Sequence, residues 1–134
     1  MARVLDACAM IAYLRDEPGG DQVESYLSDK NNPCMAHAIN LCEVYYDFLR
    51  AKDENTAQAA IADLTAMGLI GRDDMDARLW QEAGKYKAMI KKISLADCFA
   101  MALANRLQAE LVTSDHHEFD PIAQSGICAI NFIR

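Results

Sequence analysis

Short apolar runs recur along this chain, and each is followed by a longer stretch with helical spacing. Ala2 to Leu5 reads as a buried strand, and a helix follows from about Cys8 to Arg15 until Glu17-Pro-Gly-Gly20 stops it. Asp21 starts a second helix carrying Val23, Tyr26 and Leu27, Asn31-Asn-Pro33 forms a turn, and Cys34-Met-Ala36 makes a second strand. From about Ile39 to Ala51, the residues Leu41, Val44, Tyr45, Phe48 and Leu49 keep helical spacing. Asp53 or Asn55 caps the next helix, with Ala57, Ala60, Ile61, Leu64 and Met67 on one face and Gly68 closing it. Leu69-Ile70 reads as a short strand, and Asp74 or Asp76 opens a helix through Leu79, Trp80, Ala83, Tyr86 and Ile90. Ser94 caps a helix to about Leu107, Glu110 to Thr113 and Ala129 to Ile133 are strands, and Asp120, before Pro121, caps a helix between them. Strands that alternate with helices in this way imply an α/β fold, a parallel sheet covered by helices on both faces.

At 134 residues, with 52% hydrophobic and 25% charged residues, the chain is expected to form one domain over 1–134. No apolar run approaches the roughly 20 residues of a membrane span, and Met-Ala-Arg3 leads into a strand rather than a signal peptide. The five cysteines contain no C-x-x-C pair, so buried reduced thiols of a cytoplasmic protein are expected, with neither a disulfide framework nor a zinc site. A net charge of −7 argues against a general nucleic-acid binder. Metal-binding carboxylates, however, make a bare chain look more acidic than the loaded one. Lys85-Tyr-Lys-Ala-Met-Ile-Lys-Lys92 is a local basic exception, read either as a solvated helix end or as a rim that contacts phosphates.

Three aspartates sit where burial should make them costly. Asp6 is the only charge in Val4 to Leu14, Asp97 is the only charge in Ser94 to Ala104, and Asp115 ends Leu111-Val-Thr-Ser-Asp115. A buried carboxylate without a partner costs several kcal/mol or is forced neutral, and a divalent cation is one partner that all three could share. Functional groups of parallel sheets gather at the carboxyl ends of strands; Asp6 and Asp115 directly follow strands, and Asp97 lies in the first turn of a helix. Each also has a plainer reading: Asp6 as a helix cap, Ser94-Leu-Ala-Asp97 as a capping box, and Asp115 as the start of a turn through His116 and His117. Glu43 is a fourth candidate, on a polar ridge with Asn40 and Asp47 that would otherwise be a solvated helix face. No dinucleotide fingerprint, P-loop or zinc helix motif is present.

Four blocks in order, Val4-Leu-Asp-Ala-Cys-Ala-Met-Ile11, Asn40-Leu-Cys-Glu43, Ile93-Ser-Leu-Ala-Asp-Cys-Phe-Ala100 and Leu111-Val-Thr-Ser-Asp115, resemble the PIN-domain ribonucleases, most closely the small VapC-type toxins. The resemblance implies a PIN-like twisted parallel sheet flanked by helices. It implies metal-dependent endonucleolytic cleavage of RNA, tRNA among the candidates, with Mg²⁺ or Mn²⁺ held by Asp6, Glu43, Asp97 and Asp115. Asn40, Thr113 and Ser114 fall beside those acids. A homodimer and a cognate antitoxin are the implied partners. Where the family has Ser or Thr after the first Asp, this chain has Ala7 and Cys8. That departure supports the alternative reading, a catalytically silent scaffold that binds a protein or RNA.

Overall fold

The computed structural model describes residues 1–134. Its elements run β1 (Arg3–Leu5), α1 (Ala7–Leu14), α2 (Gly20–Ser28), β2 (Cys34–His37), α3 (Ala38–Ala51) and α4 (Glu54–Ala66). They continue with β3 (Ile70–Arg72), α5 (Ala77–Met89), α6 (Leu95–Arg106), β4 (Glu110–Thr113), α7 (His116–Ser125) and β5 (Ile130–Phe132). The five strands form one sheet in the order β3-β2-β1-β4-β5, every pair parallel.

Period-two alternation sorts the central strands between two cores. Val4 and Leu111 face a cluster with Leu79, Ile93, Met101, Leu103 and Phe119 from α5, α6, α7 and the loop before α6. Their neighbours Leu5 and Val112 face the opposite cluster, with Met10, Val23, Val44 and Leu64 from α1 to α4. Helices therefore cover both faces, as the alternation of elements requires. No helix is long and apolar enough to cross a membrane.

The chain winds outward from β1 to β2 and β3, then returns past β1 to β4 and β5. The order reverses between β1 and β4, and the crevice beyond the carboxyl ends of those strands is where parallel α/β sheets place their sites. Asp6 leaves β1 there, and Asp115 follows β4 one residue later, after Ser114.

Local boundaries differ from the sequence reading in understandable ways. β3 is Ile70–Arg72 rather than Leu69-Ile70, because Gly68 at φ +106° makes the turn and Leu69 is spent inward on the core. Asp120 is not a cap: α7 starts five residues earlier with Asp115 as its N-cap, and Pro121 lies inside the helix. His116 and His117, placed in a turn by the sequence, are exposed and belong to the first turn of α7. The Gly19-Gly20 turn admits no side chain at Gly20, where a Cβ would lie 2.4 Å from the Ala12 carbonyl oxygen.

Candidate metal centre

Helix starts build this site. Asp6 follows β1 as the N-cap of α1, and its Oδ1 accepts the Ala9 N–H at 2.9 Å. Its Oδ2 accepts the hydroxyl of Thr113, which is fully buried at the end of β4. The same Thr113 Oγ1 accepts the Asp115 N–H at 3.0 Å, so one hydroxyl ties the acid after β1 to the backbone of the acid after β4. Asp115 in turn caps α7, accepting the Glu118 N–H at 3.1 Å.

On the other side, Ser94 caps α6 and its Oγ accepts the Asp97 N–H at 3.1 Å. A capping box would have the Asp97 carboxylate reach back to the Ser94 N–H. That N–H instead donates to Glu118 Oε1 at 3.0 Å, and Asp97 stays free to face its neighbours. Carboxylate oxygens of Asp97, Asp115 and Glu118 all lie within 4.8 Å of one another.

Burial and mutual repulsion mark the cluster electrostatically. Asp6 is 1% exposed and its pKa is pushed up to about 7 by desolvation, with Asp115 and Glu43 adding to the rise against the hydrogen bonds from Thr113 and Ala9. Asp97, 9% exposed, is raised well above the usual carboxylate range by burial, by its hydrogen bond with Glu118, and by the charges of Asp6 and Glu118. Glu43, half-buried on α3, is raised by burial and by Glu118 and Asp47. The Cys8 thiol is pushed up to about 12 by burial and by Asp6, Asp97, Asp115 and Glu43 together. Of the four acids singled out in the sequence, Asp97 and Asp115 come together with Glu118 within 4.8 Å, while Asp6 and Glu43 stand outside that group and feel its charge.

Asn40 is fully buried, and its Nδ2 donates to the Ala96 carbonyl at 3.3 Å, next to Asp97. Its Oδ1 has no hydrogen-bond partner, a buried acceptor left open beside the cluster. Ser114 is half-buried and takes no part in these bonds. Asp47, expected on the same polar ridge, turns to Arg15 with an ion pair of 2.8 Å.

Glu118 was not among the candidates. In sequence it reads as an ordinary acid in the first turn of a helix, three residues after Asp115. Its role becomes visible only when α7 starts at His116 and turns it toward Ser94.

An oxygen-only set of crowded carboxylates with a spare amide oxygen suits a hard divalent cation such as Mg²⁺ or Mn²⁺. The cysteines add nothing to such a set: Cys8, Cys34, Cys98 and Cys128 are all raised above the normal thiol range by burial and stay protonated.

A family model described as "PIN domain" matches residues 3–124. Solved structures share the fold at low identity. The structure of VapBC2 from Rickettsia felis bound to a DNA fragment from its promoter aligns with a TM-score of 0.75 and 20% identity, over 98% of this chain and 98% of that one. VapBC-1 from nontypeable Haemophilus influenzae gives 0.75 and 19%, covering 99% and 98%. VapC20 from Mycobacterium tuberculosis, described as a sarcin-ricin loop cleaving toxin, gives 0.71 and 15%, covering 89% and 94%. No curated protein matches the chain significantly.

Proposed function

The chain belongs to the PIN-domain family, and from that premise we propose that residues 1–134 form a single-domain, metal-dependent endoribonuclease, the toxin of a type II toxin–antitoxin pair. The observation that carries this reading is the cluster at the β1/β4 crevice. Three carboxylates stand within 4.8 Å, with Asp6 and Glu43 close enough to shift in response. So much uncompensated negative charge would repel a phosphodiester.

In this proposal Asp6, Asp97, Asp115 and Glu118 hold Mg²⁺ or Mn²⁺, with Glu43 at the edge of the set. The cation, when bound, supplies positive charge to the scissile phosphate and acidity to a water beside it. The chain's own residues do the rest. Thr113 orders Asp6 and the Asp115 backbone through one hydroxyl. Ser94 directs its N–H to Glu118 and fixes the start of α6. Glu43, half-buried on α3 and facing the charge of Glu118, orients the attacking water. Asn40 keeps its buried Oδ1 open beside Asp97 as a supporting acceptor, and Ser114 stands between Thr113 and Asp115.

A basic segment of an antitoxin is the expected protein partner, since a cation from a partner would quiet the same carboxylates. Exposed Tyr46, Leu49 and Trp80 offer apolar contacts for it or for a second copy in a homodimer.

Cleavage of a labelled mixed RNA pool by the purified chain, in Mg²⁺, Mn²⁺ or EDTA and beside Asp97→Asn, tests the reading. Cutting that needs metal and disappears in Asp97→Asn is the expected result. Folded protein that cuts neither RNA nor a DNA control with any metal would favour the silent scaffold, for which Ala7 and Cys8 speak. Cutting of DNA in preference to RNA would redirect the substrate.

A further inference from the structure

The chain carries a net charge of −7, yet its cations are unevenly spent. Arg3, Arg15, Arg72, Arg106 and Arg134 are all tied to carboxylates. No lysine is in an ion pair. The segment Arg78 to Lys92 holds Arg78, Lys85, Lys87, Lys91 and Lys92 against a single carboxylate, Glu82. Glu82 is itself engaged by the Tyr86 hydroxyl at 2.9 Å. A strongly acidic protein therefore keeps an unneutralised basic strip along α5 and the loop after it.

The strip leads to the carboxylate cluster. Lys87 Nζ donates to the Ile93 carbonyl at 2.7 Å, and the N–H of the same peptide unit, that of Ser94, donates to Glu118. Lys87, itself exposed, thus pins the loop that carries the exposed Lys91 and Lys92 up to the start of α6. In the other direction, a cleft of about 690 Å³ runs beside α5, with Arg78 and Lys85 among its polar lining and Met89, Ile90 and Ile127 apolar. That volume lies in the range of small-molecule sites, enough for an unstacked base with its phosphate at the rim.

Resting on the nuclease reading, we propose that α5 and the α5–α6 loop form the track along which the single-stranded RNA runs beyond the cut site. Lys85, Lys91 and Lys92 contact its phosphates, and the α5 cleft takes a base.

The test is the salt dependence of kcat/KM on single-stranded RNA at fixed Mn²⁺, for the parent chain, the triple variant Lys85→Gln/Lys91→Gln/Lys92→Gln, and the control Lys30→Gln/Lys52→Gln. Each phosphate contact on a single strand contributes about 0.7 to the slope of log affinity against log salt, so losing three should flatten it by about 2. Raising salt fourfold would then weaken the triple variant about 20-fold less than the parent. The control should keep the parent's slope, as Lys30 lies beside Leu27 and Met67, over the face of the sheet opposite α5. Metal-dependent cutting with equal slopes in parent and triple variant overturns the track and leaves the nuclease standing. A parent chain that cuts no RNA removes the nuclease reading and the track with it.

Discussion

Replacing Asp97 by Asn should stabilise the metal-free protein while removing most of its response to metal. The reasoning starts from the 4.8 Å limit on separations among Asp97, Asp115 and Glu118. Two full charges at that distance repel by about 3.5 kcal/mol at an effective dielectric constant near 20. Asp115 and Glu118 are half-exposed, and solvent screening brings the net effect to about 1–2 kcal/mol. The sign with pH follows from linkage. The Asp97 pKa is raised in the fold, so above the ordinary carboxylate range the native state binds more protons than the unfolded chain. Metal-free stability therefore falls as pH rises. Asp97→Asn cannot ionise and escapes that loss. Scanning calorimetry in EDTA should show the variant melting about 3–8 °C above the parent at pH 8, converging toward pH 5. Excess Mn²⁺ should raise the parent's Tm and move the variant's far less. An EDTA-treated variant that melts at or below the parent at pH 8 would refute the crowding argument. A variant with the parent's full Mn²⁺ response would refute Asp97 as a ligand.

Other consequences can be checked separately. Thr113→Val removes the donor to Asp6 and the acceptor for the Asp115 N–H; it should cost about 1–3 kcal/mol in urea unfolding and weaken Mn²⁺ binding by about 10–100-fold in titration calorimetry, with Thr113→Ser restoring most of both. Iodoacetamide at pH 8 should label the native chain once, at exposed Cys42, because the other four thiols are raised to about 11 or 12; rapid labelling of Cys8 in intact-mass spectra would contradict the burial and charge assigned to it. Gly20→Ala should destabilise by about 1–3 kcal/mol, as its Cβ would overlap the Ala12 carbonyl; an unchanged urea midpoint would mean the α1–α2 turn relaxes freely.

The order of elements and the four acids were legible because both leave local marks. An apolar run with one aspartate at its end is visible without neighbours, and so is the change from strand to helix period. What escaped needed three dimensions. The start of α7 was displaced to Asp120 because Pro121 looked like a first-turn proline, whereas Asp115 holds the Glu118 N–H and draws the helix back to His116. That one shift hid Glu118. Ser94 and Asp97 have capping-box spacing, but no local rule says that the Ser94 N–H will go to an acid 24 residues away.

Why so many ligand candidates double as helix caps has a physical answer. Asp6 and Asp115 are N-caps, and Asp97 and Glu118 lie in the first turns of α6 and α7. A parallel sheet turns each strand into a helix at its carboxyl edge, so helix N-termini with their unsatisfied N–H groups converge there. Carboxylates are favoured at such ends one at a time, each by about 0.3–1 kcal/mol. Asp97, Asp115 and Glu118, gathered within 4.8 Å, repel by more than that favour returns, even after screening. Capping therefore explains why each acid stands at the start of a helix but not why the helices aim them at one another. The Ser94 N–H sharpens the point: it is the donor that would have bound Asp97 back into a local cap, and Glu118 occupies it. A fold under pressure only for stability would close that capping box and separate the acids. This one leaves Asp97 turned toward Asp115 and Glu118, an arrangement that a bound cation relieves.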